Sequence, residues 1–192
     1  MSAATTLLKG GDIFVVRGTG FISNAIVQVC KKYALDGQAD YSHAGIITSV
    51  NGDTFEALRH IECSHIDNYR GLEILIARPR ATRDQFEVAI SKLYSAYSGI
   101  AYPWWRIALH YARLAQWCGT GDYLVCSELV AAYLKELGII NTIRGYNPDH
   151  IHDMMVHWAH DFEITYRGRW EPELKLPLFI SGPLNYAKEK AS

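Results

Sequence analysis

The amino-acid sequence predicts an α+β fold, in which an antiparallel sheet packs against several helices. Short apolar runs bounded by glycine, proline or asparagine predict the strands, and apolar residues at helical spacing predict the helices. The chain has 192 residues, of which 49% are hydrophobic and 20% are charged, and these are globular values. We therefore expect residues 1–192 to form a single domain with one sizeable core.

Five runs have the composition of strands. Four precede the main helical part and one follows it, at residues 11–18, 40–50, 54–60, 72–78 and 162–167. Asn51-Gly52 is a strong signal for a two-residue hairpin turn, so the second and third runs should pair with each other. Pro79 ends the fourth run, because proline has no N–H to donate to a ladder. The leucines of the C-terminal tail, residues 171–192, favour a tail that docks on the domain.

Five segments have helical signals. They are residues 21–34, 82–99, 104–117, 126–137 and the run that begins at residue 147. Thr82 and Gln85 have the spacing of a capping box, in which two side chains satisfy free N–H groups at a helix start. Asn147 followed by Pro148 predicts another start, with asparagine as the cap and proline at the first helical position.

Charge and hydropathy bear on nucleic-acid binding and on membrane spanning. The formal net charge is -1 and no long block has one sign, which argues against nucleic acid as the main partner. No run approaches the ~18 to 20 apolar residues that a membrane span needs, so we predict no transmembrane segment. The first nine residues lack the apolar stretch of a signal peptide, and we therefore expect a cytoplasmic protein. The oligomeric state leaves no trace in the sequence.

The cysteines and histidines show no metal-binding pattern. The four cysteines are Cys30, Cys63, Cys118 and Cys126, and no two of them form a C-x-x-C pair. Their spacing suits neither a zinc site nor a compact disulfide framework. The histidines between residues 150 and 160 complete no familiar ligand set either. We predict reduced thiols, no metal and no cofactor.

Cys126 and His43 are the candidate catalytic residues. Cys126 begins a predicted helix, where the positive end of the helix dipole would stabilise a thiolate. His43 begins a strand-like run, and an imidazole near the thiol could accept its proton as a general base. The alternative is structural, because Cys126 shares a helical face with Leu129 and Tyr133 and could belong to the core. His43 could likewise be a structural or surface histidine.

Five short motifs occur in the order and at the spacings of a known family. They are Gly11-Asp12-Ile13-Phe14, Ser42-His43-Ala44-Gly45-Ile46, Phe55-Glu56-Ala57, Cys126-Ser127-Glu128-Leu129-Val130 and Asn147-Pro148-Asp149-His150-Ile151. In these motifs the chain resembles the permuted, NlpC-type papain-like cysteine hydrolases, specifically the YiiX-like branch, over about residues 11–151. The resemblance implies a permuted papain-like fold, with Cys126 as nucleophile, His43 as base and Glu56 as the third polar residue. It also implies cleavage of amide or ester bonds to acyl groups, including peptide bonds in cell-wall material. A related branch moves acyl chains between lipids.

The group that orients His43 depends on the register of the predicted hairpin. With a two-residue turn at residues 51–52, His60 rather than Glu56 is paired with His43. A four-residue loop over residues 48–51 would place Glu56 directly opposite His43 instead. The family motif favours Glu56, and His60 remains the alternative.

The sequence leaves the substrate open. Aromatic residues concentrate in one segment, at Tyr102, Trp104, Trp105, Tyr111 and Trp117, and three basic side chains share one helical face there, Arg106, His110 and Arg113. This segment could form a lipid pocket or a membrane contact, or it could simply pack a helix. Our leading hypothesis is a hydrolase of peptide or peptidoglycan amides. The alternatives are a lipid-directed thiol acyltransferase or esterase that takes an acyl-lipid substrate, and a catalytically inactive binding module.

Overall fold

The computed structural model describes residues 8–33, 39–101 and 124–171. Within these residues six strands form one sheet: β1 (Ile13–Val16), β2 (His43–Ile47), β3 (Asp53–Ala57), β4 (Ile61–His65), β5 (Glu73–Pro79) and β6 (Phe162–Arg169). The described helices are α1 (Phe21–Tyr33), α2 (Arg83–Tyr97), α3 (Cys126–Glu136) and α4 (Pro148–His157). A short 3-10 turn, Ile66–Tyr69, follows β4.

The sheet is antiparallel throughout. Its strands lie in the order β4-β3-β2-β1-β5-β6, and each neighbouring pair runs in opposite directions. Ile13 of β1 pairs with Ile46 of β2 on one side and with Ala77 of β5 on the other, so β1 lies inside the sheet. The predicted α+β fold, an antiparallel sheet packed against helices, is confirmed. None of the helices in the described ranges is long and apolar enough to cross a membrane.

The buried side chains form two clusters, one on each face of the sheet, because successive strand residues point to opposite faces. On the first face, strand residues such as Val15 and Ala44 pack against α2, α3 and α4. The second cluster packs strand residues against a turn and the end of β6; its members are Leu8, Phe14, Val16, Ile47, Ile66, Ile74, Ile76 and Trp170. We call these two surfaces the helix face and the turn face.

Two strand predictions need correction. The run predicted at residues 40–50 contains a shorter strand, His43–Ile47, and the run predicted at 54–60 already ends at Ala57. The chain then turns into β4, a strand that the sequence did not predict. β4 lies at the edge of the sheet and only its first residue, Ile61, is buried. An edge strand that buries so little lacks the apolar alternation on which the prediction depends.

The predicted helix starts of α2 and α4 are confirmed. The Thr82 hydroxyl accepts from the N–H of Gln85 at 3.2 Å, and Gln85 Oε1 accepts from the N–H of Thr82 at 2.8 Å. Asn147 Oδ1 accepts from the N–H of His150 at 2.8 Å, with proline at the first position of α4. The predicted helix at residues 104–117 and most of the C-terminal tail lie outside the described residues.

Candidate active site

β2 and β3 are joined by a four-residue loop, and the two-residue turn expected from the sequence is wrong. The observed register pairs Ile46 with Phe55, which leaves residues 49–52 in the loop. The hydroxyl of Ser49 stabilises this wider loop, because it donates to Asp53 Oδ2 at 2.5 Å and accepts from the N–H of the same residue at 3.3 Å. Side-chain bonds of this kind compete with the tighter hairpin turn.

This register brings Glu56 to His43. If the register is continued one position beyond its last pair, Glu56 comes next to Gly45, two residues from His43 and on the same face, and His43 Nε2 is 2.7 Å from Glu56 Oε2. The glycine makes this diagonal contact possible, since a Cβ there would be 2.9 Å from Glu56 Cγ and 2.6 Å from the ring of Phe14. His60, the alternative partner, is exposed and lies between β3 and β4.

Glu56 is a buried carboxylate with several donors. Its side chain has 0% exposed surface. Besides His43, the Thr54 hydroxyl donates to Oε1 and the Tyr69 hydroxyl donates to Oε2. Burial alone would raise the pKa of Glu56, but the hydrogen bond and charge of His43 and the two hydroxyl donors lower it below its usual 4.5. Glu56 is therefore ionised and binds the His43 ring at Nε2, and the same ring shares a hydrogen bond with the Cys126 side chain.

Cys126 is the first residue of α3, and contacts on both sides of it hold the helix start in place. The N–H of Val125 donates to the Glu128 carboxylate at 3.2 Å. The Ser127 hydroxyl donates to the carbonyl of Tyr146 at 2.7 Å. The first nine residues of α3 are all buried, because the helix packs against the helix face of the sheet. The sulfur consequently lies at the positive end of a fixed helix dipole.

The sulfur of Cys126 also lies where β2 and β3 separate. The pairs between these strands end at Ile46 and Phe55. The N–H of Ala44 donates to the sulfur instead of continuing the ladder, and the N–H of Ser127 donates to it as well.

Cys126 and His43 share a hydrogen bond and shift each other's pKa in opposite directions. Burial raises the pKa of Cys126, but the charge and hydrogen bond of His43, with the two N–H donors, bring it below its usual 9.0. Burial lowers the pKa of His43, but the thiolate and Glu56 raise it to about 10. Both shifts favour the form of the pair in which Cys126 is a thiolate and His43 is an imidazolium. Cys30 is also buried, yet burial and the charge of Asp149 raise its pKa to about 12.

Tyr69 belongs to the site and was not predicted from the sequence. It ends the 3-10 turn that follows β4, and its ring centroid lies 5.7 Å from that of His43. The local sequence around it, from Ile66 to Gly71, indicates only a turn. No local signal could have identified Tyr69, because its contact with Glu56 depends on the register of two strand pairs.

A group of possible metal ligands lies on α4. Asp149, His152 and Asp153 each offer one ligand atom, and these atoms lie within 4.8 Å of one another. His152 Nδ1 is 3.2 Å from Asp153 Oδ1, and its ring stacks on Tyr41 with centroids 4.9 Å apart. His152 Nε2 is buried and has no hydrogen-bond partner among the described residues. The i, i+3, i+4 spacing of these three residues is visible in the sequence, but it matches none of the familiar ligand motifs.

One nitrogen and two carboxylate oxygens form a donor set that fits a divalent cation. The two carboxylates differ in exposure, because Asp149 is buried and Asp153 is exposed. The aromatic segment that the sequence offered as a substrate contact, residues 102–117, lies outside the described ranges.

The comparisons with known proteins identify a relative in fold. No protein-family model and no curated protein matches this chain. Among solved structures, the chain is similar to the crystal structure of the metalloprotein YiiX (DUF1105) from Escherichia coli O157:H7. The match has 20% sequence identity and a TM-score of 0.50, and it covers 69% of this chain and 68% of that chain. The chain therefore has a YiiX-like fold.

Proposed function

We propose that this protein is a cysteine hydrolase of the permuted papain-like type, with peptide or peptidoglycan-type amides as its substrate class. Cys126 is the nucleophile, His43 the general base and Glu56 the residue that orients His43. One observation carries the proposal: a thiol at a helix start shares a hydrogen bond with an imidazole whose other nitrogen binds a buried carboxylate. The YiiX-like fold agrees with the family resemblance that implies the same three residues.

The reaction proceeds in two steps. The Cys126 thiolate attacks the carbonyl carbon of the amide and forms a C–S bond, while N–H groups at the start of α3 stabilise the charge on the carbonyl oxygen. The His43 imidazolium gives its Nδ1 proton to the amine nitrogen as the C–N bond breaks. Water then attacks the acyl thioester and gives a proton to His43. The C–S bond breaks, the acid product leaves, and the thiolate–imidazolium pair returns.

The electrostatic contrast between two buried cysteines argues against a purely structural Cys126. Burial alone affects Cys30 and Cys126 in the same direction, because it disfavours a thiolate. The pKa of Cys30 is raised to about 12, whereas that of Cys126 is lowered. The difference comes from donors and charge that converge on one sulfur, and a core cysteine has no need of them.

The name of the YiiX relative raises the question of a metal. In this chain Asp149, His152 and Asp153 would hold a divalent cation, which would supply a local positive charge. The proposed reaction uses Cys126, His43 and Glu56, and none of its steps involves that ion. We propose no second function, because the aromatic segment that would favour a lipid ester lies outside the described residues.

Alkylation with iodoacetamide across pH, read for each cysteine by mass spectrometry, tests the proposal. Cys126 should react fastest of the cysteines at about pH 6, where ordinary thiols are protonated. His43→Ala should remove that advantage. Cys63, which is exposed, and Cys30, which is buried, serve as internal controls. Slow labelling of Cys126 at equal rates in both proteins would mean that it is a core cysteine.

Substrate class is tested on the protein that passes this first experiment. Peptide amides and lipid esters are offered separately, and the acyl thioester on Cys126 is detected as a mass increase. Release of amine from a peptide supports the proposal. Transfer from a lipid ester alone would replace it with the acyltransferase hypothesis.

A further inference from the structure

The carboxylate of Glu56 binds more than the catalytic histidine. His43 Nε2 and the Tyr69 hydroxyl both contact Oε2, while the Thr54 hydroxyl donates to Oε1. Thr54 and Glu56 are alternate residues of the same strand, so Thr54 is brought there by β3 itself. Tyr69 is different, because it arrives from a separate turn and contacts the same oxygen as the histidine.

Two contacts near its start hold the turn that carries Tyr69. The N–H of Ile66, a fully buried residue, donates to the carbonyl of Gly52 in the β2–β3 loop at 2.9 Å. Asp67 Oδ1 accepts from the indole N–H of Trp170 at 3.1 Å. Trp170 is itself buried at the end of β6. The turn is therefore fixed to two different parts of the sheet, and the Tyr69 hydroxyl has little freedom to leave Glu56.

The ring of Tyr69 also restricts His43. Its centroid lies 5.7 Å from that of His43 at an interplanar angle of 31°, and 5.5 Å from that of Phe14. The three rings pack together on the turn face, beside the carboxylate. Tyr69 thus fixes Glu56 through its hydroxyl and limits the tilt of the imidazole through its ring.

We propose that Tyr69 is a positioning residue, which holds the Glu56 carboxylate in the orientation that fixes the His43 ring. This inference rests on the proposed function. Without the hydroxyl, Oε2 keeps only His43, and the carboxylate can rotate toward Thr54. A looser carboxylate stabilises the imidazolium less, and the imidazolium in turn stabilises the Cys126 thiolate less.

The ionisable side chains next to the His43 ring come from β3, α3 and the turn that carries Tyr69. His43 faces Glu56 from β3, Cys126 from α3 and Tyr69 from the turn. Burial and the Glu56 carboxylate raise the pKa of Tyr69 above its usual 10.0. Its hydroxyl therefore remains neutral, and able to donate, at neutral pH. Its hydroxyl therefore adds a hydrogen bond without adding a charge.

The test compares two tyrosine-to-phenylalanine variants in the same layer of the protein. Tyr69→Phe removes the donor to Glu56. Tyr166→Phe removes a hydroxyl that donates to the carbonyl of Arg169, and Tyr166 packs on Trp170 with centroids 5.6 Å apart. The pH profile of Cys126 alkylation is measured for both variants and for wild type, and the His43 ring nitrogens are titrated by NMR. Urea unfolding confirms that each variant is folded.

Tyr69→Phe should move the low-pH limb of Cys126 alkylation upward by about 0.5 to 1 pH unit, a three- to tenfold loss of rate at about pH 6. The pKa of His43 should fall in the same variant. Tyr166→Phe should match wild type. In a Glu56→Gln background, Tyr69→Phe should add no further shift, because a residue that acts through Glu56 has nothing left to act on.

Four results would overturn the inference. Profiles that coincide for Tyr69→Phe and wild type would make Tyr69 a packing residue, and so would equal shifts in both tyrosine variants. A further shift in the Glu56→Gln background would mean that Tyr69 acts by another route. If wild-type Cys126 itself shows no low-pH reactivity, the proposed function fails first, and the inference fails with it.

Discussion

At the scale of single residues, the surroundings of a side chain decide its chemistry more than its type does. Cys30 and Cys126 are both buried, yet their pKa values move in opposite directions. Gly45 contributes through what it lacks, because the side chain of Glu56 passes over it to reach His43. These residues make predictions that single substitutions can test.

Gly45→Ala should destabilise the protein and disturb the site together. The added Cβ would lie 2.6 Å from the ring of Phe14 and 2.9 Å from Glu56 Cγ, so one of them must move. Overpacking of this kind costs about 1–3 kcal/mol. Urea unfolding measures the loss, and Cys126 alkylation should slow in parallel. Gly20→Ala is the control, because a Cβ at Gly20 meets nothing within 4 Å; equal losses in the two variants would contradict the role given to Gly45.

Cys126→Ser should lower the pKa of His43. That pKa is raised from 6.5 to about 10, and the thiolate is the first of the groups that raise it. A neutral hydroxyl lacks this charge, so one fewer group offsets burial, which lowers the pKa of His43. NMR titration of the His43 ring measures the change. Cys30→Ser is the matched control, and a His43 pKa that stays near 10 in Cys126→Ser would exclude a thiolate partner.

At the scale of elements, the start of α3 and the separation of β2 from β3 create the site jointly. α3 contributes the thiol of Cys126 and the helix dipole. The part of β2 that no longer pairs with β3 contributes the N–H of Ala44. The hydroxyl of Ser127 connects the start of α3 to the carbonyl of Tyr146, just before α4 begins. Two helix starts are therefore linked through one hydroxyl.

Ser127→Ala should loosen this link. The carbonyl of Tyr146 would lose its donor at 2.7 Å, and a lost bond of this kind costs about 1–2 kcal/mol. Urea unfolding measures the difference from wild type. Ser95→Ala, on the exposed side of α2, should change the free energy of unfolding by no more than about 0.5 kcal/mol. Equal values for both variants would show that the Ser127 contact does not stabilise the fold.

At the scale of the whole molecule, stability should depend on the ionisation of Glu56. Its folded pKa is lowered below 4.5, so the carboxylate contributes stability above pH 4.5, and this is lost as pH falls through the folded value. Glu56→Gln removes that contribution and leaves a buried partner unpaired, which costs about 3 kcal/mol at neutral pH. The gap in unfolding free energy between wild type and variant should shrink at about pH 3. A gap of the same size at both pH values would contradict the ionised carboxylate.

Features that depend on residues close together in the sequence could be predicted. Features that depend on contacts between distant parts of the chain could not. The caps at Thr82 and Asn147 were predictable, because each involves residues three positions apart. The register of β2 with β3 was not predictable, since the hydrogen bond of the Ser49 hydroxyl favours a four-residue loop over the two-residue Asn-Gly turn. The contact of Tyr69 with Glu56 depends on that register and on the position of β4. β4 is an edge strand, and its sequence lacks the apolar alternation by which a strand is predicted. The catalytic roles of Cys126, His43 and Glu56 stay predictions until the substitutions are made.

The diagonal contact across Gly45 has a consequence for recognising related chains. In this chain the histidine and the carboxylate meet across Gly45, where a Cβ would be 2.9 Å from Glu56 Cγ. The spacing His-x-Gly on one strand, with an acidic residue beside the glycine on the next strand, is thus a geometric signature that can be sought without relying on overall identity. Genomes can be searched for it directly, and we expect a chain that keeps the histidine but replaces the glycine to orient that histidine with a different group.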